Sequence, residues 1–358
     1  MLLLTDEIIN SLLSVRDCVG DMELAYQQLA ADQAAEVGRE RMFLDDRKTG
    51  IVYRLGRQCG AVSALGVAAL RVNSTRKGFR KGIDKMKTSN DPKDHHLVLL
   101  FSLESGELLA ILHGFTLSAL RLGATTAVAT KYLAREGADQ LGVYGSGKQA
   151  RANLEGIAAV VKLRLVKVYS PNRVHREMFA KDMEEKLNIS VRPVEDPREV
   201  LHESSIVLCA TSAWEPIFDG GEVEDGALVI SLRNSDHEKT PREFDETILR
   251  RSPFIVVCSK PQINQDNQRE LLDHIETGVI SWENIYELSD LVAGKVKRRS
   301  PTDILFYHSN TGMGIQFAAV GYRTYQVARE KGLGNDLPNE WFHADLTPWF
   351  ELGFRPTS

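Results

Sequence analysis

The sequence predicts an α/β fold class in which a Rossmann-type, doubly wound parallel sheet is inserted into a discontinuous α+β domain. Three observations support this. Short apolar segments alternate with segments of helical period through the middle of the chain, which is typical of a parallel sheet covered by helices. A glycine-rich turn follows the first of these apolar segments. A long helical segment comes after the alternating region, so both ends of the chain belong to the second unit.

Size and composition limit the class of protein. A length of 358 residues suggests about two domains. A net charge of −5 argues against a broadly basic nucleic-acid-binding protein, and no apolar run approaches the roughly 20 residues that span a membrane. The four cysteines form no CxxC pair and have no histidine at metal-ligand spacing. We therefore expect a cytoplasmic protein with reduced cysteines, no metal, and neither nucleic acid nor membrane as a partner.

The N-terminal third predicts one helical segment followed by strands. Apolar residues recur at helical spacing over residues 6–35. Short β-branched and apolar runs then predict strands at 51–55, 67–72, 97–101 and 108–112, the last two forming an antiparallel hairpin. Between the predicted strands at 67–72 and 97–101, residues 76–87 contain six basic residues in twelve. This stretch is either a solvated loop or a lid that attracts an anionic substrate or cofactor phosphate.

The middle of the chain predicts alternating helices and strands. Helical period returns over residues 116–136 and again in the long final helix, 314–331. Between these, the predicted helices are 149–161, 174–187 and 198–202, and the predicted strands are 141–144, 165–169, 190–194, 205–210, 227–231 and 254–258.

A dinucleotide-binding fingerprint opens the first helix of the alternating region. It reads Gly145, Ser146, Gly147, Lys148, Gln149 and Ala150. The pattern alone is weak, but here a strand precedes it and a helix follows, as a Rossmann turn requires. Gly145 permits the tight turn, Gly147 lets the backbone approach a pyrophosphate, and Ala150 keeps the helix close to the sheet. The helix N-terminus then binds the pyrophosphate.

The end of the second strand of this region indicates the form of the cofactor. Enzymes that use NAD place a carboxylate there, on the ribose hydroxyls. This chain instead has Asn172 and Arg173, and an arginine pairs well with a 2′-phosphate. We therefore predict NADP as the cofactor, with NAD still possible, and Asn172 and Arg173 as cofactor-binding residues. Arg176 is a second candidate for the phosphate.

Several motifs in order along the chain resemble the ornithine cyclodeaminase/mu-crystallin family. The resemblance spans nearly the whole chain, and ordered motifs are more specific together than any one of them. They lie at residues 119–134, 145–151, 209–218, 287–295 and 310–314, with a tail at 337–342 that occurs in some members.

The resemblance implies a homodimer with two domains in each subunit. Residues 1–118 and 308–358 would form the substrate-binding and dimerisation domain, and residues 119–307 the NAD(P)-binding Rossmann domain. It also implies hydride transfer between nicotinamide and the α-carbon of a small amino or imino acid. An imine or ketimine reductase, or an amino-acid dehydrogenase, is favoured. The alternatives are an ammonia-lyase of the ornithine cyclodeaminase type with bound NAD, and a non-catalytic NADP(H)-dependent binding protein of the mu-crystallin type.

The resemblance also implies roles for individual residues. Arg121 matches the family's carboxylate-binding arginine, and Arg41 a second substrate-binding arginine, although Arg39 competes for that role. Asp236 falls where the family has its catalytic aspartate, and Thr211 lies in a cofactor-binding motif.

Three departures from the family pattern separate this chain from a standard ornithine enzyme. Arg71 stands where many members have a lysine; it binds a carboxylate well but exchanges protons poorly. The residues after Asp236 lack the usual family run, so His237 or Glu238 competes for the catalytic role. Gln316 stands near the place where many members have an acid.

Overall fold

Two sheets organise the chain. The structure is a computed structural model that describes residues 1–46, 51–78, 94–235 and 242–343. The first sheet has seven strands in the order β15-β1-β6-β5-β4-β3-β2. Its neighbours are antiparallel except for the parallel pair β1 and β6. The strands are β1 (Leu2–Leu4), β2 (Ala34–Asp46), β3 (Ile51–Val62), β4 (Val67–Gly78), β5 (His95–Ser102), β6 (Leu108–His113) and β15 (Asn335–Asp336).

Four helices accompany the first sheet: α1 (Asp6–Leu12), α2 (Val19–Ala30), α3 (Gly114–Leu133) and α10 (Gly314–Lys331). Helix α10 lies against β3, β4, α2 and α3. The apolar faces of these elements form one buried core, because a sheet face and a helix stripe each need a partner to leave water.

The second sheet has eight strands, all parallel, in the order β13-β12-β14-β11-β10-β7-β8-β9. Chain order runs outward from β7 through β8 to β9 on one side and from β10 to β11 on the other, where β14 is inserted between β11 and β12. In doubly wound sheets ligands bind where the order reverses, here at the boundary between β7 and β10. Its strands are β7 (Gln140–Tyr144), β8 (Leu165–Tyr169), β9 (Ser190–Pro193), β10 (Ile206–Cys209), β11 (Leu228–Ser231), β12 (Ile255–Val257), β13 (Ile285–Glu287) and β14 (Leu305–His308). Its helices are α4 (Lys148–Val160), α5 (Arg173–Leu187), α6 (Glu246–Arg251), α7 (Pro261–Gln265), α8 (Arg269–Glu276) and α9 (Leu288–Val292).

Helices α3 and α4 join the two units through backbone contact. A Cβ on Gly156 would lie 2.1 Å from the carbonyl oxygen of Gly123, and a Cβ on Gly123 would lie 2.3 Å from the carbonyl oxygen of Ala152. No side chain fits between the helices at this crossing, since real Cβ contacts are much longer.

The predicted fold class is confirmed, and the hairpin of β5 and β6 is present. Helix α10 has the predicted bounds. The prediction of one helix over residues 6–35 is wrong, because Asp17 accepts hydrogen bonds from the backbone and hydroxyl of Ser14, both at 2.7 Å, and closes a turn between α1 and α2. Strands β1, β2, β13, β14 and β15 were not predicted. Across the described ranges, no helix has the length and apolar character that crossing a membrane requires.

Candidate active site

The glycine-rich turn lies at the boundary between β7 and β10 of the parallel sheet. Gly145 has a φ of 105°, a backbone conformation that favours glycine. A Cβ at this position would lie 2.3 Å from the carbonyl oxygen of Ala210, just beyond β10. The Gly145 N–H donates to the carbonyl of Tyr169, at the end of β8, over 2.8 Å. The turn therefore passes directly over the strand ends, and only glycine fits.

The start of helix α4 has the features of an anion site. Gly147 is its N-cap, and in the described ranges no side chain caps the helix and no atom lies within 4 Å of a Cβ built there. The N–H groups of the first turn are therefore open to a ligand. Ala150 is fully buried and brings the helix against the sheet. These residues fit a dinucleotide pyrophosphate.

Lys148 and Gln149 line the mouth of this turn. The Lys148 ammonium donates to the carbonyl of Phe115 over 2.7 Å and lies 3.1 Å from the centroid of the Phe115 ring. Burial lowers the pKa of Lys148 to about 8. Among the described residues, the buried Gln149 Oε1 has no hydrogen-bond partner. Ser146 Oγ donates to Ser170 Oγ over 2.9 Å, which connects the turn to the residues after β8.

The residues after β8 lie beside the turn, but their side chains differ in exposure. Asn172 caps α5 by accepting from the backbone N–H of His175 over 3.0 Å. Arg173 is exposed, and its Nε donates to Glu177 over 2.7 Å. Arg176 is buried and donates to the carbonyl of Ser170 over 3.1 Å, so it supports the loop from behind. Of the two arginines, Arg173 is the one that a ligand can reach.

A fully buried carboxylate holds together the ends of β10 and β11. Glu243 Oε1 accepts from the Thr211 N–H at 2.6 Å and from the Thr211 hydroxyl at 2.7 Å. Glu243 Oε2 accepts from the hydroxyl of Ser231 at 2.9 Å and from two backbone N–H groups that follow it. Thr211 is thus fixed beside the turn. The sequence predicts no role for Glu243, because nothing in its local pattern indicates burial.

A second buried glutamate fixes the chain just before the predicted catalytic residue. Ser235 donates from its backbone N–H to Glu270 Oε1 over 2.9 Å, and its hydroxyl donates to Glu270 Oε2. His308 Nε2 also lies 3.2 Å from Glu270 Oε1. Asp236 and its competitors His237 and Glu238 lie outside the described residues, so the catalytic role of Asp236 stays a prediction.

Two predicted substrate-binding arginines, Arg121 and Arg71, lie close to one aromatic ring. The guanidinium carbon of Arg71 is 5.3 Å from the centroid of the Phe317 ring, and that of Arg121 is 5.6 Å from it. A Cβ on Gly312 would lie 3.1 Å from the guanidinium carbon of Arg121. Since Gly312 follows closely after β14, the arginines border the edge of the parallel sheet where its strands end.

Arg121 and Arg71 have neutral partners only. Arg121 Nη1 donates to Gln316 Oε1 over 3.2 Å. Arg71 Nη1 donates to Gln58 and Asn73 over 3.1 and 2.8 Å, and its Nη2 lies 3.3 Å from Nδ1 of His96. In the described part of the chain, no carboxylate pairs with either arginine, and the Nε of each is buried without a partner.

The electrostatics of this pair favour an anionic ligand. Burial, followed by the charge of Arg121, lowers the pKa of Arg71 to about 9. Burial also lowers the pKa of Arg121. The pKa of His96 is lowered by burial and by the charge of Arg71, so His96 is neutral at pH 7 and offsets no charge. A carboxylate that enters this space would relieve an uncompensated positive charge.

Arg41 and Arg39 lie on β2 and meet Asp266, next to α7. Arg39 donates to Asp266 Oδ2 through Nε at 3.1 Å and also through Nη2. Arg41 Nη1 lies 3.9 Å from Asp266 Oδ1. Arg39 is thus committed to Asp266 by two donors, which favours Arg41 over Arg39 for substrate binding.

The chain is similar over most of its length to known proteins. The sequence profile of the ornithine cyclodeaminase/mu-crystallin family matches residues 5–332. A Δ1-pyrroline-2-carboxylate reductase of Bacillus cereus is 26% identical over 339 residues, which cover 94% of this chain and 99% of that protein. An alanine dehydrogenase of Archaeoglobus fulgidus is 27% identical over 340 residues, or 94% and 98% of the two chains.

A solved structure shows the same similarity. The Δ1-pyrroline-2-carboxylate reductase of Thermococcus litoralis, in complex with NADH and L-proline, superimposes with a TM-score of 0.81 at 28% identity. The match covers 94% of this chain and 100% of that one.

Proposed function

The chain belongs to the ornithine cyclodeaminase/mu-crystallin family, and from this we propose that it is an NAD(P)H-dependent oxidoreductase acting on a small α-amino or α-imino acid. One observation carries the proposal. Arg121 and Arg71, which have no carboxylate partner among the residues that the structure describes, lie beside the edge of a sheet whose first turn fits a dinucleotide. An anionic substrate and a nicotinamide cofactor would therefore meet there.

In the proposed imine reduction, different residues bind the cofactor, bind the substrate and deliver the proton. Residues 145–150 and Thr211 would hold the dinucleotide, which would supply a hydride to the substrate. Arg121 and Arg41 bind the α-carboxylate and orient the C=N bond, with Arg71 adding charge. The α-carbon accepts the hydride, the C=N π electrons move to nitrogen, and Asp236 delivers the proton that nitrogen needs. Glu243 and Glu270 act as positioning residues, because they hold residues 231–233 and Ser235, which lie just before Asp236.

We propose NADP(H) rather than NAD(H) as the preferred cofactor. The residues after β8 include no carboxylate to accept from ribose hydroxyls, and Arg173 is exposed at the start of α5. Asn172 lies beside it as the helix cap. An arginine in this place favours a 2′-phosphate.

We also propose a cytoplasmic homodimer, with residues 1–118 and 308–358 forming its substrate-binding and dimerisation domain and residues 119–307 its Rossmann domain. The edge strand β2 is the part of the chain that favours a dimer interface. Its side chains Val37, Met42, Phe43 and Leu44 are exposed, and apolar edges are usually covered by a partner.

An assay of both directions tests the proposed function. The protein is incubated with NADPH or NADH and a panel of imino acids, or with the oxidised cofactors and the matching amino acids, while absorbance at the nicotinamide band and ammonia are followed together. Net cofactor turnover is expected. Ammonia release from a diamino acid without net cofactor change would contradict the reductase and indicate a cyclodeaminase.

A further inference from the structure

One face of β4 presents a row of three polar side chains, Arg71, Asn73 and Thr75. They share a face because strand side chains alternate, and neighbours in the row are about 6.6 Å apart along the strand. Asn73 and Thr75 are each only 3% exposed. Within the described ranges, Arg71 Nε, Asn73 Nδ2 and Thr75 Oγ1 all lack a hydrogen-bond partner. Buried polar groups are normally satisfied, so three in one row point to a ligand.

The neighbouring strand β3 accommodates the Asn73 side chain of this row and adds positive charge. Gly56 lies opposite Asn73 in the ladder, and a Cβ there would lie 2.6 Å from Asn73 Oδ1, so only glycine accommodates the amide. Arg54 lies opposite Thr75. Its charge reaches Arg71, where it contributes to the lowered pKa.

The chemistry of the row selects the ligand. Arg71 Nε and Asn73 Nδ2 are donors only, and the Thr75 hydroxyl is free to donate. A group made of acceptors, with negative charge, satisfies all three, and a carboxylate is such a group. The α-carboxylate of the substrate is already assigned to Arg121. A substrate with a neutral side chain would leave the Asn73 and Thr75 donors buried and unsatisfied.

We propose that the substrate is a dicarboxylic α-imino acid, whose distal carboxylate binds Asn73 and Thr75 while its α-carboxylate binds Arg121. This rests on the proposed function and specifies its substrate class. The corresponding product is a dicarboxylic α-amino acid. Arg71 lies between the two positions and contributes charge to both.

Amino-acid oxidation with isosteric pairs tests this. Aspartate is compared with asparagine, and glutamate with glutamine, with alanine as the short neutral substrate. We expect kcat/KM to favour the acid over its amide by at least about tenfold for one pair, as a desolvated charge pair implies. Thr75→Val should lower kcat/KM for that acid by about tenfold more than it lowers kcat/KM for alanine. Thr75→Ser, which keeps the hydroxyl, should retain the preference.

Thr130→Val is the matched control. Its hydroxyl is also buried without a partner among the described residues, but it lies on α3 rather than on the row. This variant should keep the acid preference. Equal kcat/KM for acids and amides in the unmodified protein, or an equal loss for acid and alanine in Thr75→Val, would overturn the proposal.

Failure of the proposed function gives a different result, namely no cofactor turnover with any amino or imino acid. In that case calorimetry examines the row by itself, with succinate and its monoamide succinamate as probes. Succinate binding at least about tenfold tighter, with the difference removed in Thr75→Val, supports a carboxylate site. Equal binding of the two probes overturns it.

Discussion

Arg121 on α3 and Gln316 on α10 are joined by a hydrogen bond of 3.2 Å between Nη1 and Oε1. Gln316 is itself fixed, since its Nε2 donates to the hydroxyl of Tyr26 over 2.8 Å and its Oε1 accepts from the Met313 N–H over 3.1 Å. A neutral amide therefore orients the arginine and leaves its charge for a ligand.

Gln316→Glu should raise the KM of the substrate by about tenfold or more, because a carboxylate beside Arg121 competes with the substrate carboxylate. The cofactor Kd should hardly change, since Arg121, Met313 and Tyr26, the partners of Gln316 named above, are not residues of the turn. Steady-state kinetics and cofactor titration measure the two effects. Arg121→Leu removes the positive charge altogether and should raise the KM of the substrate the most. An unchanged KM in Gln316→Glu would show that Arg121 does not bind the substrate.

Gly145→Ala and Gly147→Ala should separate folding from binding. At Gly145 a methyl group meets the Ala210 carbonyl, and φ is positive, so a loss of about 1–3 kcal/mol in unfolding free energy and loss of dinucleotide binding are expected. At Gly147 the space is open, so the melting temperature should stay near that of the unmodified protein while the Kd rises. Thermal denaturation and fluorescence titration with NADPH check both. Tight binding by Gly147→Ala would argue against close approach of the pyrophosphate.

Arg173→Ala should reduce the preference for NADPH over NADH by about tenfold, through loss of a charge-assisted contact with the 2′-phosphate. The Kd for NADH should be unchanged. Arg164→Ala, which removes another exposed arginine, is the control and should alter neither Kd. If the unmodified protein binds NADH as tightly as NADPH, the assignment of Arg173 is wrong.

Dinucleotide affinity should fall as pH rises past about 8 because of Lys148. Because this pKa is lowered, Lys148 in the free protein loses its charge as the pH rises past about 8. A nearby pyrophosphate would raise the pKa of Lys148, so the lysine would take up a proton when the dinucleotide binds. The attraction is therefore complete below the pKa of the free protein and is lost above it. We expect the Kd to rise by about two- to tenfold from about pH 7 to about pH 9. Lys148→Met should remove this dependence, and a persistent slope in that variant would exclude Lys148 as its source.

Asp236→Asn should lower kcat by about 10²–10⁴-fold with cofactor binding intact, because the amide keeps the shape of the acid but exchanges no proton. Glu238→Gln and His237→Gln, made separately, test the competing positions. A loss confined to Glu238→Gln would move the catalytic role two residues along the chain. Single-turnover measurements with NADPH distinguish a slow chemical step from weak binding.

Local sequence patterns predicted those helices, strands and turns whose conformation depends mainly on residues nearby in the chain. The period of α10 and the turn at Gly145 depend on neighbouring residues only. Strand β2 was missed because its charged residues are unusual in a strand and become favourable only through distant partners. Glu36 accepts from the N–H groups of Gly314 and Ile315, and Arg39 pairs with Asp266.

Dependence on distant partners also explains why some residues of the site could not be predicted from the sequence. Glu243 and Glu270 lie in segments without a recognisable motif, and their burial depends on strands far away in the chain. The donors of Asn73 and Thr75 gain significance only when the strand register and their lack of partners are known. Family resemblance supplied Arg121 and Asp236, which no local pattern distinguishes.

The backbone contact between Gly123 and Gly156 limits how substrate specificity can evolve in this architecture. Arg121 lies two residues before Gly123 on α3, and the dinucleotide turn opens α4, so one locked helix pair carries both binding elements. The separation between Arg121, the proposed α-carboxylate anchor, and the dinucleotide turn is then fixed by the helix pair. Selection for a longer, shorter or differently charged substrate would act on β3 and β4, where side chains change without moving that anchor.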